Sequence, residues 1–395
     1  MSQYEYKIVD ADNHYYETDD CFTRFIDPQF RDRAVHIVRD SDGPGRPYIG
    51  DEPMYFLVSN PSDLVGKPGV VHQKKDQRYE PLTPDELMVP GEIPEFANRD
   101  ARLRWMDEQD IDAVLLYPGL TLTVEHQLRD DRDVCVANLR AFNHWLDDEW
   151  GFAYQGRIFA VPFLTLVDLD EAVRDLEWAL GQGARVVHLL FTPVYGKSIA
   201  DPYFDPFWAR LAESGVPISF HGCDAGYSDL FTTQWGEAAR PPAHAQSAFQ
   251  RAMFYGERPI MDTLASLVLH NLFGRFPDLQ AMSIENGSAW VPHLLRVMDK
   301  GAKTGAQGTW LGGRIDDDPS AIFRQHVSVA PFDDDDTRGL VDLIGADRVL
   351  LGSDYPHPEG FPEPRKFFEG TDLTADERRL IEHDNAAALM GLEIA

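Results

Sequence analysis

Asp12 and His14 stand one residue apart near the start of the chain, with Glu17 three positions further on. The apolar run Pro217-Ile218-Ser219-Phe220 closes on His221, and Met282-Ser283-Ile284 closes on Glu285. Leu350-Leu351-Gly352-Ser353 closes on Asp354, with His357 and Glu359 just beyond. One polar residue after an apolar run is ordinary, because every strand must leave the core. Imidazoles and carboxylates at several such ends, gathered at one rim, would repel one another or strand buried charge unless a cation neutralised them. A bound metal ion is the economical explanation, in preference to a rim whose polarity is only structural.

Elements that could gather these residues run from end to end. Short β-rich runs at 6–11, 113–117, 158–164, 186–191, 217–221, 279–284, 326–330 and 349–352 alternate with helical patterns such as 134–150, 170–180, 205–213 and 374–390. Asp168 before Asp170-Glu171, and the acidic run 333–336 before Leu340, are polar helix starts. The acidic run reads as a solvated helix N-terminus. Strands alternating with helices call for a parallel sheet with crossover helices, and eight is the number that closes a (β/α)8 TIM barrel. A doubly wound open sheet would place a glycine-rich turn after its first strand, but here that strand runs into Asp12-Asn13-His14. The expected fold is therefore α/β: one distorted barrel domain spanning 1–395. Its strand C-termini converge on one site. The long insertion 18–98 after the first strand forms a cap, and loops 222–257 and 301–318 form a lid.

Composition narrows the partners. The chain has 395 residues, 43% hydrophobic and 26% charged, with a formal charge of −30. So acidic a surface repels phosphate backbones and anionic membranes, leaving a small-molecule substrate as the expected ligand. No apolar stretch is long enough for a bilayer span. Three scattered cysteines without a C-x-x-C read as free thiols in a reducing compartment. No basic-then-apolar leader precedes the first strand, so the expected location is cytoplasmic. Aromatic residues in the insertions suggest an apolar patch, hence a homodimer or higher oligomer; a hetero-oligomer is also open. Gly196-Lys197-Ser198 lacks the first glycine of a phosphate loop, and there is neither G-x-S-x-G nor H-E-x-x-H. Cys223 reads as a small loop thiol. His126, His144, His293 and His383 read as surface or satisfied histidines, and His270 as structural.

The motifs Asp10-x-Asp12-x-His14, Phe220-His221, Ile284-Glu285-Asn286-Gly287 and Gly352-Ser353-Asp354-Tyr355-Pro356-His357 resemble those of the amidohydrolase-related family, in the branch of the aminocarboxymuconate-semialdehyde decarboxylase type. Asp201-Pro202-x-Phe204-Asp205-Pro206, Arg275-Phe276-Pro277-Asp278-Leu279 and Asp384-Asn385-Ala386 are similar to further family signatures, so the resemblance spans nearly the whole chain. It implies a metal-bearing barrel with Asp12, His14, His221 and Asp354 as ligands. Asp12 stands where the family more often has histidine, and Glu285 where many members have a strand-six histidine. Both changes replace nitrogen by oxygen, which moves the expected ion from zinc toward manganese or iron. One or two divalent ions fit the set, with Glu17, Glu285 or His357 completing a second site or touching substrate.

The leading functional expectation is a metal-dependent hydrolase using a metal-activated water on a small organic substrate. Asp354 is its general base and later its acid, and His357 or His14 its oxyanion stabiliser. Aromatic segments 227–235 and 249–255 would exclude water. The alternatives are a non-oxidative decarboxylase of a small carboxylic acid, with Arg185, Lys197 or Arg251 as the carboxylate's counterion; a non-haem (di)iron oxygenase on the same barrel; and a catalytically silent partner subunit.

Overall fold

The structure is a computed structural model that describes residues 6–39, 43–74, 81–254 and 257–393. The first seven expected β runs are found as short parallel strands. Ile8–His14, Ile111–Tyr117 and Ile158–Ala160 make one ladder; Phe163–Leu164, Val187–Leu189, Ile218–His221, Ala281–Ile284 and Val327–Val329 make another. The run 158–164 serves both: Val161 N–H donates to Leu116 O at 2.9 Å, and Pro162 O accepts from His188 N–H at 2.9 Å. Pro162 has no N–H to give, and the strand breaks there.

The eighth run forms no regular strand. Its backbone bonds are spread over three neighbours instead: Leu350 N–H to Val329 O (3.0 Å), Ala11 N–H to Leu351 O (2.9 Å) and Leu351 N–H to Ile381 O (3.1 Å). A single parallel bridge joins Val329 to Val349 and another joins Asn13 to Tyr355. Segment 349–355 thus lies between the seventh strand and the first.

Alternation sorts the strand side chains onto two buried faces. Val9, Ala113, Leu115, Phe159, Met282 and Leu350 pack together on one side, while Ile8, Val114, Leu116, Ile218 and Phe220 pack among the helices on the other. Helices Arg132–Glu149, Leu169–Gly181 and Asp205–Ser214 follow the amphipathic patterns. Asp168 caps the second through Glu171 N–H at 3.1 Å, and Gly215, at φ 69°, ends the third. The pattern 374–390 is interrupted: a π turn, Leu380–Asp384, separates Ala375–Arg379 from Asn385–Leu389. Among the described residues no helix is long and apolar enough to cross a membrane.

Within 18–98 an antiparallel ribbon joins Val35–Val38, Arg46–Ile49 and Glu52–Pro53, and a second pair joins Val65–Gly66 to Leu87–Met88. Segment 301–318 links helix Val291–Thr304 to helix Pro319–His326, and Gly312 O accepts from Asn271 Nδ2 at 3.2 Å.

Candidate metal centre

A one-residue bulge aims the first strand's polar end. Asp10 pairs with Val114, but Asn13 pairs with Leu116, so three steps on one strand face two on the other. Ala11 therefore keeps the apolar face, and Asp12 and His14 both turn toward the residues from the other strand ends. His221 Nε2 lies 3.1 Å from Asp12 Oδ1, and His14 Nε2 lies 3.3 Å from both Asp12 Oδ1 and Asp354 Oδ1. His357 Nδ1 approaches Asp354 Oδ1 at 2.6 Å, and its ring stacks on His14 at 3.9 Å. Glu285 Oε2 lies 3.2 Å from His221 Nδ1. Potential ligand atoms fall into three overlapping groups: Asp12, His14 and His221; His14, Asp354 and His357; and Glu285, Asp354 and Glu359.

His14 carries the test of fit. It is fully buried, neither ring nitrogen makes a hydrogen bond, and yet one nitrogen sits between two carboxylate oxygens. Burial and the neighbouring His357 push its pKa down to about 3, so the ring is neutral, the form that binds a metal. Burial alone would push the Asp12 carboxyl up, but His221 and His14 outweigh it and hold Asp12 below the usual carboxylate range. Burial pushes Asp354 up, reinforced by Glu359, and Glu285 up, reinforced by Asp354. Carboxylates crowded this way need protons or a cation, and two imidazoles with three oxygen donors suit a divalent ion. Two of them sit on left-handed backbone, Glu285 at φ 53° and Asp354 at φ 56°. That conformation is uncommon for residues other than glycine and clusters at functional sites.

Asp12, His14, His221, Asp354, His357 and Glu285 are thus brought together. Glu17 is not: its Oε1 accepts from Gly119 N–H (3.0 Å) and Thr121 N–H (3.3 Å), tying down the turn after the second strand.

Beneath the cluster lies a knot that the sequence reading missed. Asp10 Oδ2 accepts from Asn13 Nδ2 and Ser353 Oγ, each at 2.6 Å, and its Oδ1 accepts from Ser353 N–H at 3.0 Å. It thereby ties the first strand to segment 349–355, and burial pushes its pKa up to about 7. Buried Arg102 donates to Asn13 Oδ1 (3.0 Å) and His14 O (2.6 Å). Its only sequence signal is a charge among Ala101, Leu103 and Met106 on the buried face of a helix.

The cavity above the cluster has a volume of about 310 Å³ and reaches Asp12, Glu285, Asp354 and Glu359. Phe332, Phe361 and Phe367 supply its aromatic lining. The expected aromatic wall at 227–235 and 249–255 does not: Trp235 is 71% exposed, Leu230 and Phe231 also face outward, and Tyr255 lies outside the described residues. Of the three cations considered, Arg251 lines the cavity, whereas Lys197 lies over the Tyr203 ring at 5.6 Å and Arg185 precedes the fourth strand at its far end.

Two further expectations are corrected. His126 is neither surface nor satisfied: it is buried, without a hydrogen bond, 3.6 Å from Asp229. The acidic run is more than a solvated N-terminus, because Asp335 Oδ2 accepts from Ser288 N–H (2.6 Å) and Phe332 N–H (2.9 Å) and so braces the loop after Glu285.

A family model described as Amidohydrolase matches residues 89–392. An amidohydrolase from Mycobacterium avium subsp. paratuberculosis K-10 is 36% identical, with a TM-score of 0.88 over 98% of this chain and 100% of that one. A dihydroxybenzoic acid decarboxylase from Polaromonas sp. JS666, solved with manganese and 2-nitroresorcinol, is 16% identical, with a TM-score of 0.62 over 99% of this chain and 98% of that one. A 5-carboxyvanillate decarboxylase from Novosphingobium aromaticivorans DSM 12444, also holding manganese, is 14% identical, with a TM-score of 0.58 over 98% and 97%. At those identities the two decarboxylases speak to the fold alone. The match across 89–392 and the mycobacterial relative carry the assignment: this chain belongs to the amidohydrolase family.

Proposed function

We propose that the eight parallel segments close into a single barrel domain, and that the protein is a metal-dependent hydrolase of a small acyl compound. The observation that carries this reading is His14, an unbonded buried imidazole held between Asp12 and Asp354, both of which border a cavity. Asp12, His14, His221 and Asp354 would hold a divalent ion, with Glu285 and His357 flanking it. The oxygen-rich set favours manganese or iron over zinc, and manganese is the ion in the two decarboxylase structures. When bound, such an ion supplies Lewis acidity toward a carbonyl oxygen and acidifies water.

The chain's own residues would do the rest. Asp354 borders the cavity, and His357 engages its Oδ1, so the carboxylate is oriented to take a proton from water and return it to the leaving group. His357 is the side chain beside it that could donate to a developing oxyanion. Phe332, Phe361 and Phe367 offer apolar contact to the acyl group. Glu285, Asp354 and Glu359 share this cavity, so a neutral carbonyl is better tolerated there than a second carboxylate.

A second reading has its own support. Arg251 in the cavity lining could hold a substrate carboxylate, and the decarboxylases of similar fold suggest non-oxidative loss of carbon dioxide from a hydroxybenzoate. The deciding experiment is to strip the protein of metal, reload it separately with manganese, iron or zinc, and assay each form in parallel. Hydrolysis of activated amides and esters supports the first reading and carbon dioxide release from dihydroxybenzoates the second. Oxygen consumption by the iron form alone would overturn both.

A further inference from the structure

We propose that the short turn Val70–Gln73 of the insertion is a fixed specificity wall of the cavity, with Val71 and His72 setting the size of the group a substrate carries beside its reacting carbonyl. The proposal rests on reading the cavity as the substrate site.

Val71 and His72 line that cavity although they lie more than fifty residues from any strand that bears a candidate ligand. Three kinds of contact hold them there. Backbone bonds run from Gly69 N–H to His357 O (3.2 Å) and from Val71 N–H to Pro358 O (2.8 Å), onto the loop that follows Asp354. Glycines permit that close approach: a Cβ on Gly66 would lie 2.9 Å from Pro358 Cβ, and one on Gly69, at φ 72°, would lie 2.6 Å from Pro362 Cδ. The third contact crosses the cavity. His72 Nδ1 pairs with Asp333 Oδ2 at 3.1 Å, joining the insertion to the loop after the seventh strand, while its ring packs on Phe361 at 4.3 Å.

Phe361 N–H in turn donates to Ser353 O at 2.8 Å, and Ser353 Oγ donates to Asp10. The wall is therefore braced against the same knot that supports Asp12 and His14. A segment docked by main-chain bonds, tight glycines and the partly buried contact of His72 with Asp333 behaves as a rigid boundary. In a cavity of about 310 Å³, removing an imidazole from that boundary changes which acyl groups fit.

The test uses the full-length, manganese-loaded protein, wild type and His72→Ala. Amide hydrogen exchange at Gly69 and Val71 should be slow in the wild type and at least about tenfold faster in the variant; equal rates overturn the brace. Two chelating probes, acetohydroxamate and 4-phenylbenzohydroxamate, are then titrated by calorimetry. The variant should bind the biphenyl probe about tenfold or more tighter and the acetyl probe within about twofold of wild type. Equal changes for both probes, or none for either, overturn the wall. If neither probe binds the wild type, the cavity is not the substrate site; that failure is distinct because the exchange result does not depend on ligand.

Discussion

Replacing His221 by alanine is the perturbation that most directly interrogates the metal centre. His221 is fully buried, with Nε2 at 3.1 Å from Asp12 and Nδ1 at 3.2 Å from Glu285, so its loss strips the buried Asp12 and the partly buried Glu285 of their common partner. Breaking a buried pair from one side costs about 3–5 kcal/mol, and most of that should appear as lowered stability of the metal-free protein. Loss of a supporting residue outside the ligand set commonly weakens metal binding by about 10–100-fold; loss of a ligand should exceed that. The assay is elemental analysis after dialysis against a chelator that leaves the wild type loaded, with circular dichroism to confirm folding and urea melts to measure stability. A double variant, Asp12→Ala with His221→Ala, removes the stranded charge as well. It should recover part of the lost stability while remaining metal-free. Full metal occupancy in a folded His221→Ala protein would refute the ligand assignment.

Asp354→Asn keeps a ligand oxygen but loses the proton acceptor, so metal should stay while turnover falls by about 10²–10⁴-fold; metal content and rate on the same sample check this. Gly352→Ala would put a Cβ 2.9 Å from Asp12 Cβ and 3.2 Å from Ala330 Cβ, with an expected cost of about 1–3 kcal/mol in urea melts and weaker metal retention. Glu125 is buried, with Oε1 accepting from Thr165 Oγ1 at 2.8 Å and Oε2 unbonded, and burial pushes its pKa up to about 7. The native state therefore holds a proton there that the unfolded chain releases at lower pH, so the fold loses stability as pH rises from about 4.5 to about 7 and the loss levels off above that. Glu125→Gln should accordingly stabilise at pH 8 by up to roughly 3 kcal/mol and hardly at all at pH 4, as read from urea melts at both. Sedimentation at micromolar concentration should give a mass of two chains or more; a mass of one chain would remove the expected oligomer.

Much of the site was legible without coordinates because each polar residue closes an apolar run. His221, Glu285 and Asp354 follow four or five buried residues each, and a parallel strand can end only at its loop, so the chemistry-bearing type and its place at the rim came together. Helix ends were legible for a similarly local reason: Asp168 and Gly215 satisfy caps within four residues of themselves. What lay beyond reach depends on distant partners. The bulge that turns Asp12 inward exists only against the register of 111–117, and simple alternation has no means to anticipate the extra residue. Glu17 looked as available as Asp12 until the turn at 119–121 claimed it. Asp10, Arg102 and the His72–Asp333 bridge each join segments 88 to 343 residues apart. Sequence by itself determined which side chains could carry charge to the rim and which runs would be buried. Tertiary structure decided which of those charges meet, because hydrogen-bond register and desolvation act between chain segments whose proximity no local pattern encodes.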